Sequence, residues 1–180
     1  NADVAVDVMT ASLNTAFDVN SVAYDIAAKC AYVRFEGFEQ SVKYRTKSLM
    51  DTLVVDREIA VLENDDSAAA WSNIRMLSAI SNQGGDLWKI SVRPTDGPQI
   101  VQKLGLVWGI MDWSGGLIWA KLDAGKTARD ILGDIPGHAI NLSAKTGLKF
   151  SNTNPALTHL QSAIREKFDP KGIFNPGLMG

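Results

Sequence analysis

The turn sequence Ser114-Gly115-Gly116 constrains the fold more than any other feature of this chain. It separates two apolar segments, LVWGIMDW (106–113) and LIWAKL (117–122). A short glycine-containing turn between apolar segments is typical of two antiparallel strands joined directly. We therefore predict a tight β-hairpin, which requires an antiparallel sheet around it.

Other segments predict further strands. Apolar and polar residues alternate in AYVRFEG (31–37), DLWKISVRPTDG (86–97) and GHAINLSAK (137–145), whereas EIAVLEN (58–64) is apolar on both faces and predicts an interior strand. The second of these segments places Lys89, Ser91 and Arg93 together on a polar face.

Helical spacing separates these strands. We predict a short helix and a loop before residue 30, and helices over residues 38–53, 65–80 (N-cap Ser67), 98–104 and 125–135, and a last one from the Asn154-Pro155 cap to Phe168. The predicted fold class is α+β: a mixed, largely antiparallel sheet of about six strands with helices on one face. The opposite face is then available to a ligand or partner.

Composition excludes several kinds of protein. Lys and Arg total 18 against 20 Asp and Glu, with no dense basic run, so nucleic-acid binding is not expected. One Cys and two His do not supply a four-ligand zinc site of nitrogen and sulfur atoms. The apolar segments are shorter than the ~20 residues that span a bilayer. We expect a cytoplasmic protein.

The C-terminal segment needs a binding surface for its apolar side chains. Pro170 ends the last helix, and Asn175-Pro176-Gly177 forces a second turn. Four large apolar residues lie on this bent tail: Ile173, Phe174, Leu178 and Met179. Burial of such a side chain contributes about 1.5–3 kcal/mol. Either this domain or another one should therefore cover the tail.

The segment EKFDPKGIFNPGLM (166–179) resembles the end of the C-terminal (cap) domain in FAD-linked oxidases of the vanillyl-alcohol oxidase type. The segments LWKISVRP (87–94), MDWSGGLIWAKL (111–122) and PGHAINLSA (136–144) are similar to FAD-binding accessory subunits of bacterial glycolate oxidases. The resemblance implies ferredoxin-like elements in a cap (substrate) domain over residues 30–168, after an N-terminal leader at 1–29. It also implies that residues 169–180 return to an FAD-binding domain outside this sequence.

The resemblance further implies a chemistry. The whole protein would help to oxidise a 2-hydroxy acid, glycolate, with transfer of a hydride to FAD. Its partners would be its own FAD-binding domain, a second flavin subunit and an iron–sulfur subunit, and any membrane attachment would be made through those subunits. FAD is expected in the full-length protein and not in this piece, because Gly84-Gly85 and Gly115-Gly116 lack the spacing of a phosphate-binding loop. The piece alone is expected to be inactive.

Three residues are candidates for substrate binding, and no catalytic residue is assigned. Arg93 can hold a carboxylate through two hydrogen bonds, or it can be a solvated residue of the sheet face. Trp113 can wall a pocket or pack in the core, and His138 can be a base or a structural histidine. Asn175 is the candidate nearest to the cofactor, unless it only initiates a turn. The alternative function is a non-catalytic α+β module that binds a ligand or a partner subunit.

Overall fold

The structure is a computed structural model that describes residues 1–53, 58–143 and 154–176. Its centre is one six-stranded sheet with the strand order β2-β1-β4-β5-β3-β6. The strands are β1 Ser21–Asp25, β2 Cys30–Arg34, β3 Asp86–Val92, β4 Ile110–Asp112, β5 Leu117–Leu122 and β6 Gly137–Asn141. Each pair of neighbours in this order is antiparallel. The predicted α+β class and the number of strands are confirmed.

Seven α-helices lie in the described part of the chain. They are α1 Ala2–Leu13, α2 Glu39–Thr52, α3 Asn64–Arg75, α4 Ser78–Ser81, α5 Gly97–Lys103, α6 Ala128–Leu132 and α7 Pro155–Phe168. The predicted cap of α7 is confirmed, since the Asn154 side chain accepts a hydrogen bond from the Ala156 N–H and Pro155 occupies the first turn.

The hydrophobic core lies on one face of the sheet. Alternate strand residues point to this face, and α1, α5 and α6 supply the side chains opposite them. Met9 of α1, Ile90, Met111 and Ile118 of the sheet, and Ile100 of α5 are at most 1% exposed. The three helices thus determine which side chains of each strand are buried.

The second face of the sheet is more polar. One row across it runs from Ala23 through Asp112, Leu117 and Ser91 to His138, since these residues are paired partners on successive strands. At the β2 edge, Trp71 of α3 contacts the Tyr32 ring edge-on. His138, at the end of this row, is one of the predicted candidate residues. Arg93 and Trp113 directly follow the ends of β3 and β4.

The predicted hairpin is confirmed as β4 and β5, with Asp112 paired to Leu117. Its turn is a 3-10 turn, Trp113–Gly115. Gly115 has φ +99°, and a Cβ there would lie 2.7 Å from a Val6 methyl and 2.8 Å from the Pro94 carbonyl oxygen. A side chain at this position would therefore be both strained and blocked.

The prediction of an interior strand at EIAVLEN is wrong. Residues 58–63 have no regular structure, and Ile59, Val61 and Leu62 are 44%, 53% and 47% exposed. The sixth strand is β1, where we expected a loop. Val22, Ala23 and Tyr24 of β1 are all buried, because the strand lies between β2 and β4 and has apolar contacts on both faces.

The helical segment after residue 63 also differs from the prediction. The helix predicted over residues 65–80 is divided into α3 and α4 by Leu77, whose φ is 53°, and its N-cap is Glu63 instead of Ser67. Trp108, in the apolar segment before the hairpin turn, is 46% exposed. Leu178 and Met179 of the tail lie outside the described residues.

Candidate functional site

Three candidate residues, Arg93, Trp113 and His138, lie at the same end of the sheet. Arg93 follows the end of β3, Trp113 follows the end of β4, and His138 is the second residue of β6. The registers agree, because Val92 is paired with Gly137 and donates its N–H to the Gly116 carbonyl at 3.0 Å. β4 and β6 are three strand spacings apart, or about 14 Å, so a small ligand cannot contact the middle of both strands at once.

The Arg93 guanidinium is held by Asp96, one turn further along the chain. Its Nε donates to Asp96 Oδ2 at 2.7 Å, and its Nη2 donates to Asp96 Oδ1 at 3.3 Å. This hydrogen bonding and the charge of Asp96 raise the pKa of Arg93. The Arg93 side chain is 66% exposed. Asp96 therefore orients one edge of the guanidinium, and the edge formed by Nη1 and Nη2 faces away from that pair.

Asp112 is a residue of this end that sequence reasoning missed. It lies in the row between Ala23 and Leu117, which are 1% and 3% exposed. Burial raises the pKa of Asp112, and the hydrogen bond from the Trp113 N–H to its carboxylate, 2.6 Å long, opposes that rise. Within the described part of the chain, no Lys, Arg or His lies within ion-pair distance of this carboxylate. The signal available in the sequence was an acidic residue directly before the hairpin turn.

Trp113 projects from a strained turn. Trp113 and Ser114 have φ values of 51° and 54°, a region that costs non-glycine residues energy. Trp113 is 60% exposed, whereas Ser114 is buried. The indole is therefore outside the core and available at the surface.

His138 lies on the edge strand β6, opposite Ser91, and is exposed. It belongs to the second face because its neighbour Ala139 is a core residue. Its position is that of a surface residue at a strand end.

The two lysines of the second face already have contacts. The Lys89 ammonium lies 5.5 Å from the centre of the Trp119 ring. Lys121 donates to the carbonyl oxygens of Ser81 and Gln83 and so ties β5 to the end of α4. Arg93 directly follows the Val92–Gly137 pair, at the same end of the sheet as Trp113 and His138.

A second candidate surface is formed by α7 and the tail after it. None of the residues of α7 is buried. Its apolar residues recur at helical spacing and are about half exposed or more: Leu157 53%, Leu160 55%, Ile164 48% and Phe168 81%. Asn175 lies in this tail with φ 45° and is exposed. Asn175 therefore belongs to the tail after α7, whereas the other three candidates lie at the end of the sheet.

Neither Gly85 nor Gly115 has the open surroundings that a phosphate-binding loop needs. A Cβ on Gly85 would lie 2.2 Å from the Leu122 carbonyl oxygen, and Gly115 packs against Pro94. Both glycines let protein backbone approach, which leaves no room there for a pyrophosphate.

The described residues contain neither a cluster of metal-ligating side chains nor a membrane-spanning helix. No group of three His, Cys, Asp or Glu side chains comes close enough to hold a metal ion there. No described helix has both the length and the apolar character needed to cross a bilayer.

The chain is similar over most of its length to an oxidase subunit. It is 30% identical over 154 residues to the glycolate oxidase subunit GlcE of Escherichia coli. The match covers 82% of this chain and 38% of that protein, so the chain spans less than half the length of its relative. No protein-family model matches the chain, and no solved structure matches it significantly.

Proposed function

We propose that this chain is the cap part of a flavin-dependent 2-hydroxy-acid oxidase subunit, with glycolate as substrate. The observation that carries the proposal is the match to GlcE over 154 residues. Residues 30–168 would form the cap domain and residues 169–180 would return to an FAD-binding domain. In the full-length protein that domain would hold FAD, and this chain alone would be catalytically incomplete.

Two structural features support the proposal that FAD is held by a domain other than this one. Gly85 and Gly115 lie against backbone atoms instead of forming a phosphate loop, and the cofactor would be held elsewhere. The apolar residues of α7 and the tail are exposed, which is expected of a surface that another domain covers.

The sheet end would contribute to binding of the substrate. The Arg93 guanidinium would hold the substrate carboxylate on the edge that faces away from Asp96, and Trp113 would wall the pocket beside it. His138 would lie at the same end of the sheet, on the edge strand β6, where a partner subunit or solvent could contact it. Asn175 would initiate the turn that meets the FAD-binding domain.

A second function is favoured by one observation, the ion pair of Arg93. A guanidinium that is already bonded to Asp96 needs no further anion. The chain would then be an assembly module without a catalytic role, which joins a second flavin subunit and an iron–sulfur subunit in a cytoplasmic complex.

Cofactor analysis of the longer protein tests the main proposal. The native gene product should retain FAD through purification and release it on denaturation, whereas this 180-residue chain should purify without colour. If the longer protein contains no FAD even when all its partner subunits are bound, the proposed flavoprotein is refuted.

A further inference from the structure

The apolar residues of α7 are continued by those of the tail. Leu157, Leu160, Ile164 and Phe168 recur every three or four residues, so they share one face of the helix. Ile173 and Phe174 follow within six residues and are 65% and 63% exposed. These six residues are called the docking surface below.

The tail is held in a fixed conformation by one carboxylate. Asp169 accepts the Ile173 N–H on Oδ1 at 2.9 Å and the Phe174 N–H on Oδ2 at 2.8 Å, and its backbone carbonyl accepts the Gly172 N–H at 3.0 Å. Asp169 is only 7% exposed, although the residues on both sides of it are exposed. The loop therefore closes around its own carboxylate.

Charged side chains flank the docking surface with a positive excess. Residues 165–171 contain three cationic side chains, Arg165, Lys167 and Lys171, and two carboxylates, Glu166 and Asp169. Arg165 also donates to the Phe174 carbonyl at 3.4 Å, which adds a link between helix and tail. The whole chain has a formal charge of −2, whereas this segment has a small net positive charge.

We propose that Asp169 preforms the tail so that α7 and the tail make one docking surface for an apolar groove with an acidic rim. The groove would belong to the part of the longer protein that lies outside these 180 residues, and this assignment rests on the proposed function. The basic rim opposes a second copy of the same surface, because like charges would meet. The preformed loop lowers the entropy that docking has to overcome.

Hydrogen exchange of this 180-residue chain tests the preformed loop without any cofactor. The Ile173 and Phe174 amides should exchange severalfold more slowly than their sequence-specific unfolded rates. Asp169→Ala should abolish the protection of both amides. Asp169→Asn should abolish one of them, because an amide side chain has a single acceptor oxygen. Asp134→Ala, an exposed control, should change neither. Unprotected amides in the unsubstituted chain would overturn the proposal.

Hydroxyl-radical footprinting of the longer protein tests the occupant. Phe168 and Phe174 should be oxidised severalfold more slowly there than in the 180-residue chain, while Tyr44 of α2, which is 69% exposed, should react equally in both. Asp169→Ala in the longer protein should restore part of the reactivity of Phe174. Equal reactivity of both Phe residues in the two proteins would refute docking within the longer chain.

Two outcomes separate the failure of this proposal from failure of the proposed function. A longer protein that protects Phe168 and Phe174 yet contains no FAD would keep the docking surface and reject the flavoprotein. A flavoprotein in which both side chains stay reactive would do the reverse. A dimer of the 180-residue chain that protects both rings would assign the surface to a second copy and overturn the proposal.

Discussion

Arg93 and Asp96 form a two-point ion pair at the end of the sheet where Trp113 and His138 also lie. The pair is exposed on the Arg93 side and nearly enclosed on the Asp96 side, whose side chain is 15% exposed. It therefore contributes little to folding, because water screens an exposed ion pair and both side chains lose freedom when they are held together. Its effect is to orient the guanidinium.

Replacement of Arg93 in the assembled longer protein should weaken glycolate binding. A hydrogen bond to a charged group contributes about 1.5–3 kcal/mol, so Arg93→Ala should raise the KM roughly 10- to 100-fold. Asp96→Asn should raise it less, because the guanidinium is kept and loses only its orientation. Steady-state kinetics with Arg75→Ala, an exposed helix residue, as control would measure both effects. An unchanged KM for Arg93→Ala would favour the assembly module.

Substitution of Gly115 should destabilise the hairpin turn more than substitution of a glycine with similar backbone and open space. Gly125→Ala is the matched control, because its φ is +87° and no atom lies within 4 Å of the added Cβ. We expect a cost of about 1 kcal/mol for Gly125→Ala and about 3 kcal/mol or more for Gly115→Ala, since only Gly115 meets Val6 and Pro94. Urea unfolding would measure the difference, and equal costs would contradict the described turn.

Met9 tests whether α1 is part of the core. It is fully buried, and Leu13 of the same helix is 45% exposed. Met9→Ala should reduce the free energy of unfolding by about 2–5 kcal/mol. Leu13→Ala should change it by about 1 kcal/mol or less. Similar small effects of both substitutions in thermal unfolding would mean that the first helix does not pack against the sheet.

Asp112 should make stability depend on pH in a direction opposite to the usual carboxylate. Burial raises its pKa in the folded state, so the folded state disfavours the charged form, and stability falls as pH rises through the usual Asp range. Asp112→Asn keeps an acceptor for the Trp113 N–H and removes the charge. Its melting temperature should exceed that of the unsubstituted chain at pH about 7 and should lose that advantage below the usual Asp pKa of about 3.9. A lower melting temperature at neutral pH would contradict the described environment.

The sequence predicted the elements whose pattern reports their surroundings directly. β3 alternates because one of its faces is core and the other polar, and α7 begins at a recognisable cap. β1 was missed because a strand buried on both faces has no alternation, and SVAYD is too short for its apolar run to stand out. Residues 58–63 show the converse error, since an apolar run was read as buried although it is exposed.

The candidate site was predictable only in part. Strand alternation placed Arg93 on the polar face with Lys89 and Ser91, but the partner of Arg93 depends on the 3-10 turn that brings Asp96 back to it. The same alternation grouped His138 with Ile140 as apolar, whereas Ala139 is the residue that enters the core. The position of Asp112 between two buried side chains follows from strand register, which five separate pairings determine together. Apolar exposure on α7 likewise depends on which neighbours are present, and periodicity does not report that.

Anaerobic addition of glycolate to the purified complex that contains the full-length protein is the most direct test of the proposed oxidase. The visible flavin absorption of the intact complex should bleach, and a complex in which residues 30–168 are deleted from this subunit should not respond. The result that would contradict the account is a complex that bleaches equally with and without these residues, or an intact complex that has no flavin absorption to lose.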